Sequence, residues 1–172
     1  GLYVKLSPIF ETASWLKSNQ NWYYQKQGQL VKDAWINDQG TWYFMDDEGV
    51  MFNQTWLYQG GSWYAFKSSG AMISADWLYD NGSWYYLKDS GSMATGWLND
   101  GGTWYYLKDS GSMATGWVKD KGSWYYLKDS GAMATGWIKD NGKWYYLASS
   151  GNMLSNTRTP DGYYVDANGV WK

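Results

Sequence analysis

A block of sixteen residues occurs three times at intervals of twenty residues. Residues 82–97, 102–117 and 122–137 read GSWYYLKDSGSMATGW, GTWYYLKDSGSMATGW and GSWYYLKDSGAMATGW, and weaker copies extend toward both ends. A period of 20 or 21 residues constrains the fold more than any local propensity. Each unit is too short to bury a core alone and must stack on its neighbours. Two tryptophan series mark the units. One is Trp15, Trp35, Trp56, Trp77, Trp97, Trp117 and Trp137; the other is Trp22, Trp42, Trp63, Trp84, Trp104, Trp124 and Trp144. The spacing within each pair is always seven residues, whereas the step to the next pair is 13 or 14, with insertions near Thr55 and Asp76. The geometry of the pair is therefore the tighter constraint.

That spacing predicts a β-hairpin. Trp97-Leu98-Asn99 reads as a strand, Asp100-Gly101-Gly102 as a turn, and Thr103-Trp104-Tyr105-Tyr106-Leu107 as the return strand, rich in β-formers. Asp80-Asn81-Gly82, Asp120-Lys121-Gly122 and Asp140-Asn141-Gly142 repeat the turn chemistry. A two- or four-residue loop is expected to set the paired tryptophans directly across from each other, and a three-residue loop to shift them by one. Lys108 to Gly116 is a polar connection with one apolar residue of buried type, Met113. The expected fold class is all-β, a solenoid of about seven stacked β-hairpins over residues 15–154. Residues 1–14 are expected to form an irregular segment or partial repeat, and residues 155–172 a C-terminal cap, with Tyr163 where a tryptophan would stand.

Composition excludes much. The chain has 15 tryptophans and 17 tyrosines in 172 residues, no cysteine and no histidine. Disulfide and thiol chemistry are absent, and so are the commonest general base and metal ligand. No metal or cofactor is expected. A net charge of −2, with no basic stripe, disfavours nucleic acid. No apolar run is long enough to span a bilayer, so no membrane insertion is expected. Any export signal is expected to have been removed or to lie upstream of Gly1.

Ring geometry suggests what the pairs do. Two indoles on one hairpin face make two walls of a box, and the next hairpin can supply a third. A strand residue and the one two later point the same way. Tyr106 is thus expected to close the box of Trp77 and Trp84, with Met93 as its floor. Tyr105, Leu107, Tyr125 and Leu127, on the other face, are the expected core. Electron-rich walls suit a quaternary ammonium group, which offers no hydrogen bond but is drawn to ring faces. A purely structural aromatic ladder is the bland alternative. Two tryptophans and two tyrosines per unit exceed what packing so small a unit requires, and exposed rings mark binding sites.

The repeat WYYLKDSGSMATGW resembles the choline-binding repeat of Gram-positive surface proteins, pneumococcal ones above all, and the resemblance covers roughly residues 15 to 154. The tail around Asp161-Gly162-Tyr163 and residues 166–171 also resembles the end of such modules. The resemblance implies a left-handed superhelix of hairpins and binding to choline, as the phosphocholine of teichoic and lipoteichoic acids. It further implies a secreted protein at the cell wall or cell surface, and sites made of two tryptophans, an aromatic residue from the next hairpin and a nearby methionine. Carried over, Trp56 and Trp63 take Tyr86 and Met72; Trp77 and Trp84 take Tyr106 and Met93. Trp97 and Trp104 take Tyr126 and Met113; Trp117 and Trp124 take Tyr146 and Met133. Trp15 and Trp22 would meet Phe44, with Leu30 at the methionine position. Trp35 and Trp42 would meet Ala65, and Trp137 and Trp144 would meet Val165, so these two sites are expected to be weakened or lost.

Two other readings compete. Glucan-binding modules use similar aromatic hairpins, but sugars need convergent hydrogen-bonding side chains, and none recurs beside the tryptophan pairs. Catalysis needs a unique site, such as the paired carboxylates of glycosidases. Here Asp89, Asp109 and Asp129 sit in repeated turns, and their repetition argues for turn chemistry. The chain is expected to be no enzyme itself. It would be joined to a murein hydrolase, adhesin or other surface effector, and a homodimer is compatible with it.

Overall fold

A computed structural model describes residues 12–172. The expected irregular N-terminal segment lies outside the described residues as far as residue 11. Among the described residues every regular element is a strand, and the strands form antiparallel hairpins. Ser14–Ser18 pairs with Asn21–Lys26, which Gln29–Leu30 extends to a third strand. Ala34–Asp38 pairs with Thr41–Met45, Trp56–Gln59 with Ser62–Ala65, and Asp76–Asp80 with Ser83–Leu87. Gly96–Asp100 pairs with Thr103–Leu107, Gly116–Asp120 with Ser123–Leu127, and Gly136–Asp140 with Lys143–Leu147. In the tail Thr157–Arg158 pairs with Tyr164–Val165. The residues divide into two compact units. One runs to Asp76 and includes Leu87–Met93; the other joins Trp77–Tyr86 to Ala94–Lys172.

The turns explain the register. Asp100 lies opposite Thr103, so the loop is Gly101-Gly102 alone. Both residues have positive φ, 60° and 88°. Two successive left-handed residues make the type I′ turn, whose twist matches that of the strands it joins. A loop of Asp100-Gly101 would have put Trp97 against Trp104, as expected from the sequence. The loop that forms begins one residue later, where Gly-Gly or Asn-Gly can adopt that backbone. Trp97 therefore faces Tyr106, and Asn99 faces Trp104. The paired tryptophans are diagonal neighbours on one face, not direct partners.

Successive hairpins are tied by the connecting segments. The Met113 N–H donates to the Trp84 carbonyl at 2.7 Å, Met133 to Trp104 at 2.8 Å and Met153 to Trp124 at 2.7 Å. In the N-terminal unit, Met51, Met72 and Met93 donate in the same way to Trp22, Trp42 and Trp63. Each methionine also forms a bridge with the end of the strand just before it, as Leu107 does with Met113. One connection thus holds two hairpins together, which isolated two-stranded sheets require.

The core of the C-terminal unit is a ladder of Leu107, Leu127, Leu147 and Val165 with Ala114 and Ala134, all fully buried. Leu107 and Leu127 lie where the sequence placed them. The N-terminal unit builds its core from larger and less regular residues. One cluster holds Tyr24, Ile36, Met45 and Met51. A second holds Phe44, Leu57 and Phe66.

Candidate ligand-binding pockets

Alternation along the strands gives each hairpin two chemically different faces. Trp97, Trp104 and Tyr106 share one face; Asp100, Tyr105 and Leu107 share the other. The contacts show how faces meet. Trp77 packs against Tyr105 at 4.9 Å between ring centroids, and its indole N–H donates to the Asp100 carboxylate at 2.9 Å. Trp97 meets Tyr125 at 4.8 Å and Asp120 at 3.1 Å; Trp117 meets Tyr145 at 4.9 Å and Asp140 at 3.0 Å. In the N-terminal unit Trp15 meets Tyr43 at 4.8 Å and Asp38 at 2.9 Å, and Trp35 meets Tyr64 at 4.9 Å. Within each unit, these hairpins present the tryptophan face to the opposite face of the next one.

That arrangement corrects the expected third wall by one residue. Tyr106 shares a face with Trp104, so it cannot also turn back toward Trp77 and Trp84. It packs on its own hairpin's Trp97 at 5.0 Å. Tyr86, Tyr126 and Tyr146 likewise lie on Trp77, Trp117 and Trp137 of their own hairpins, and Phe44 lies on Trp35. The wall from the next hairpin is Tyr105, Tyr125, Tyr145 or Tyr43. Tyr105 and Tyr125, expected in the core, are half-buried wall residues instead. Burial, and after it the negative charges of Asp120 and Asp109, push the Tyr106 hydroxyl above the usual tyrosine range.

The methionines shift by a whole repeat. Met51 lines the pocket of Trp15 and Trp22, Met72 that of Trp35 and Trp42, and Met153 that of Trp117 and Trp124. The amide ties place Met113 with Trp84 and Met133 with Trp104. Met72, Met93, Met113 and Met133 were each expected one pair later in the chain. Each connection folds back onto the hairpin before the one it leaves. The repeat fixes this through glycine. A Cβ on Gly131, whose φ is +87°, would lie 2.3 Å from the Met113 sulfur. Leu30, exposed on its own short strand, has no part in the first pocket.

The two pockets expected to be weak are complete. Trp35 and Trp42 are closed by Tyr64 and Met72, with Ser90 at the rim, because Ala65 is not the wall position. Trp137 and Trp144 are closed by Tyr163 and Trp171, with Asp161 beside them. Tyr163 occupies the position of Tyr145, so Gly162 stands where the tail would carry a tryptophan, and Val165 takes the core place of Leu147. Of the Trp56 and Trp63 hairpin, Trp63 is exposed and its carbonyl accepts from Met93.

The geometry suits cation capture. Trp117 and Trp124 stand at 89° to each other with centroids 6.4 Å apart; Trp15–Trp22 and Trp35–Trp42 match them within 0.1 Å and a few degrees. Trp15, Trp77, Trp97, Trp117 and Trp137 are each fixed between two tyrosines and a carboxylate, and Trp35 between Phe44 and Tyr64. The second tryptophan of each pair is open, Trp104 being 42% exposed. Side-chain ammonium groups already lie over three of the open rings: Lys17 over Trp22, Lys119 over Trp124 and Lys139 over Trp144, at 5.6 to 5.8 Å from the centroid. Among the described residues no group of side chains could hold a metal ion. No helix of the described residues is long and apolar enough to cross a membrane.

The indole–carboxylate bond was missed in the sequence, where these aspartates read only as turn residues. Their constant spacing of 23 residues after Trp15, Trp77, Trp97 and Trp117 was the available signal.

Comparison with known proteins gives a consistent picture. A family model described as a choline-binding repeat matches residues 79–115 and 114–157, and one described as a cell wall binding repeat matches 33–51 and 54–72. No curated protein sequence matches the chain. Among solved structures, choline binding protein F of Streptococcus pneumoniae is 42% identical with a TM-score of 0.80, covering 94% of this chain and 58% of that one. CbpJ of the same species is 45% identical, with a TM-score of 0.82 and coverage of 94% and 58%. The choline-binding domain of CbpL, also pneumococcal, is 38% identical with a TM-score of 0.71, covering 94% of this chain and 97% of that domain. The chain thus spans little more than half of the first two relatives.

Proposed function

The chain belongs to the choline-binding repeat family, and from that premise we propose that, within each unit, a tryptophan pair closed by the next hairpin's tyrosine holds a choline group and attaches the protein to phosphocholine on teichoic and lipoteichoic acids of a bacterial cell wall. The recurrent three-ring box carries this reading: perpendicular indoles, with a tyrosine 4.8 to 4.9 Å from the first of them. A trimethylammonium group has no N–H to donate, so hydrogen-bonding rims contribute little, and ring faces and methyl packing carry its recognition. At about 0.5–2 kcal/mol per ring contact, three walls give about 4 kcal/mol, which is millimolar affinity. Repetition compensates, because several sites facing one polymer gain about 10²–10⁴ in avidity. The surface-exposed, multivalent arrangement supports anchoring, with catalysis left to any domain joined to the module.

Titration settles the reading. Choline added to the purified chain is expected to change tryptophan fluorescence saturably in the millimolar range, and free choline should release the protein from choline-bearing cell walls. A response to oligosaccharide with none to choline would transfer the module to the glucan-binding class.

A further inference from the structure

The pocket of Trp137 and Trp144 differs from those of Trp15, Trp35 and Trp117 in two ways. Its floor is a ring: Trp171 donates its backbone N–H to the Trp144 carbonyl at 2.9 Å, the bond a methionine makes elsewhere. Its mouth is wider. Trp137 and Tyr163 are 5.9 Å apart, about 1 Å more than the corresponding pairs, and the cavity is about 430 Å³ against about 220 to 360 Å³ in the pockets of Trp15, Trp35 and Trp117. Asp161 also lines it, accepting the Trp137 indole N–H as Asp38 and Asp140 accept those of Trp15 and Trp117. Hydrogen bonds from Thr159 and from the Trp137 indole hold its carboxyl below the usual carboxylate range, so it is ionised at neutral pH.

A methionine floor leaves room for methyl groups against its thioether and little else. In the Trp117 pocket that floor is further fixed, since a Cβ on Gly169 would lie 2.5 Å from the Met153 sulfur. Trp171 instead offers a flat face, 6.1 Å from Tyr163 at 82°, and is 46% exposed. A substituent on the ammonium nitrogen can stack there while the charged head sits between Trp137, Trp144 and Asp161.

We infer that the Trp137 pocket selects quaternary ammonium groups carrying a flat apolar substituent, and that the methionine-floored pockets do not. The inference rests on the reading that the pockets hold quaternary ammonium groups. Benzyltrimethylammonium and choline, titrated separately by calorimetry into the full chain, distinguish the two claims. The benzyl compound is expected to fill one site about tenfold more tightly than choline does, with ring-to-ring NMR contacts to the Trp171 indole. Trp171→Met is expected to abolish that preference and leave choline binding elsewhere intact, whereas Trp171→Phe should keep part of it. Should Trp171→Met fail to fold by circular dichroism, the NMR contacts in the unaltered protein and the Trp171→Phe titration still decide. Equal affinity of the benzyl compound for all pockets, or a preference that survives Trp171→Met, overturns the selectivity and leaves the choline reading standing. Absence of binding by both compounds overturns both.

Discussion

The N-terminal and C-terminal units build the same kind of pocket over different cores. Trp35 meets Tyr64, and Trp117 meets Tyr145, each at 4.9 Å. Beneath them the packing diverges. In the C-terminal unit the Ala114 N–H bonds the Tyr106 carbonyl, so a large residue faces a small one; in the N-terminal unit Ile73 bonds Ala65, and the sizes are exchanged. A third pair, Phe52 on Phe44, is large on both sides and gathers Phe66 around it. The core tolerates exchange where total volume is roughly kept. The pocket faces keep their tryptophans and a tyrosine wall.

The largest expected effect separates the two cores. Phe66 lies at the centre of the N-terminal aromatic cluster, so Phe66→Ala is expected to cost about 3–5 kcal/mol. Leu127, one rung of a ladder, is expected to cost about 2–5 kcal/mol and to fall below Phe66 within one urea-denaturation series. Equal losses would mean that the aromatic cluster is no more cohesive than the ladder.

The volume exchange can be tested next. Ala114→Ile places extra methylenes against Tyr106 and is expected to destabilise by about 1–3 kcal/mol. Tyr106→Ala removes a ring that packs on Trp97. The double variant reproduces the Ala65–Ile73 arrangement, so the two losses should not add, and the double-mutant cycle should show favourable coupling. Additive losses would break the size-exchange account.

How far the sequence disclosed this follows from what depends on pattern and what depends on register. Repeat, hairpins, all-β class and the buried Leu107 and Leu127 follow from periodicity. The tryptophan pairs are also legible, because their spacing never varies. The third wall was not, for a reason of one residue: placing the loop at Asp100-Gly101 instead of Gly101-Gly102 changes which residues oppose one another. Alternation already held the correction, since a tyrosine that shares its tryptophan's face cannot reach the preceding hairpin. The methionine assignment needed a fact beyond local pattern, namely that each connection folds back. The completeness of the Trp35 and Trp137 pockets followed once Ala65 and Val165 were no longer the wall.

Smaller still is the effect of the indole lock. Asp120→Ala removes the acceptor of the half-buried Trp97 indole and is expected to cost about 1 kcal/mol. It should also weaken one choline site as that ring loses its fixed position. Asp120→Asn keeps an acceptor oxygen and should restore most of the stability. In the hairpin after Trp35 the equivalent position is Gln59, so Gln59→Ala is expected to cost less than Asp120→Ala. The reverse order would show that the carboxylate is not what holds the first tryptophan.

The most local effect belongs to the open wall. Trp104 leaves 42% of its surface in solvent and holds the stack through its backbone carbonyl, which accepts from Met133 whatever the side chain. Trp104→Ala is therefore expected to cost less stability than Trp97→Ala, because 42% of the Trp104 surface is already in water in the folded state. Its ligand effect should be specific: calorimetry with choline should count one site fewer, with the remaining affinities unchanged. Trp97→Ala removes the ring fixed between Tyr106, Tyr125 and Asp120, so it should lose the same site and destabilise more. If Trp104→Ala unfolds the chain as readily as Trp97→Ala, the second tryptophan of each pair is core rather than wall. The division between fixed and open rings, common to both units, would then fail.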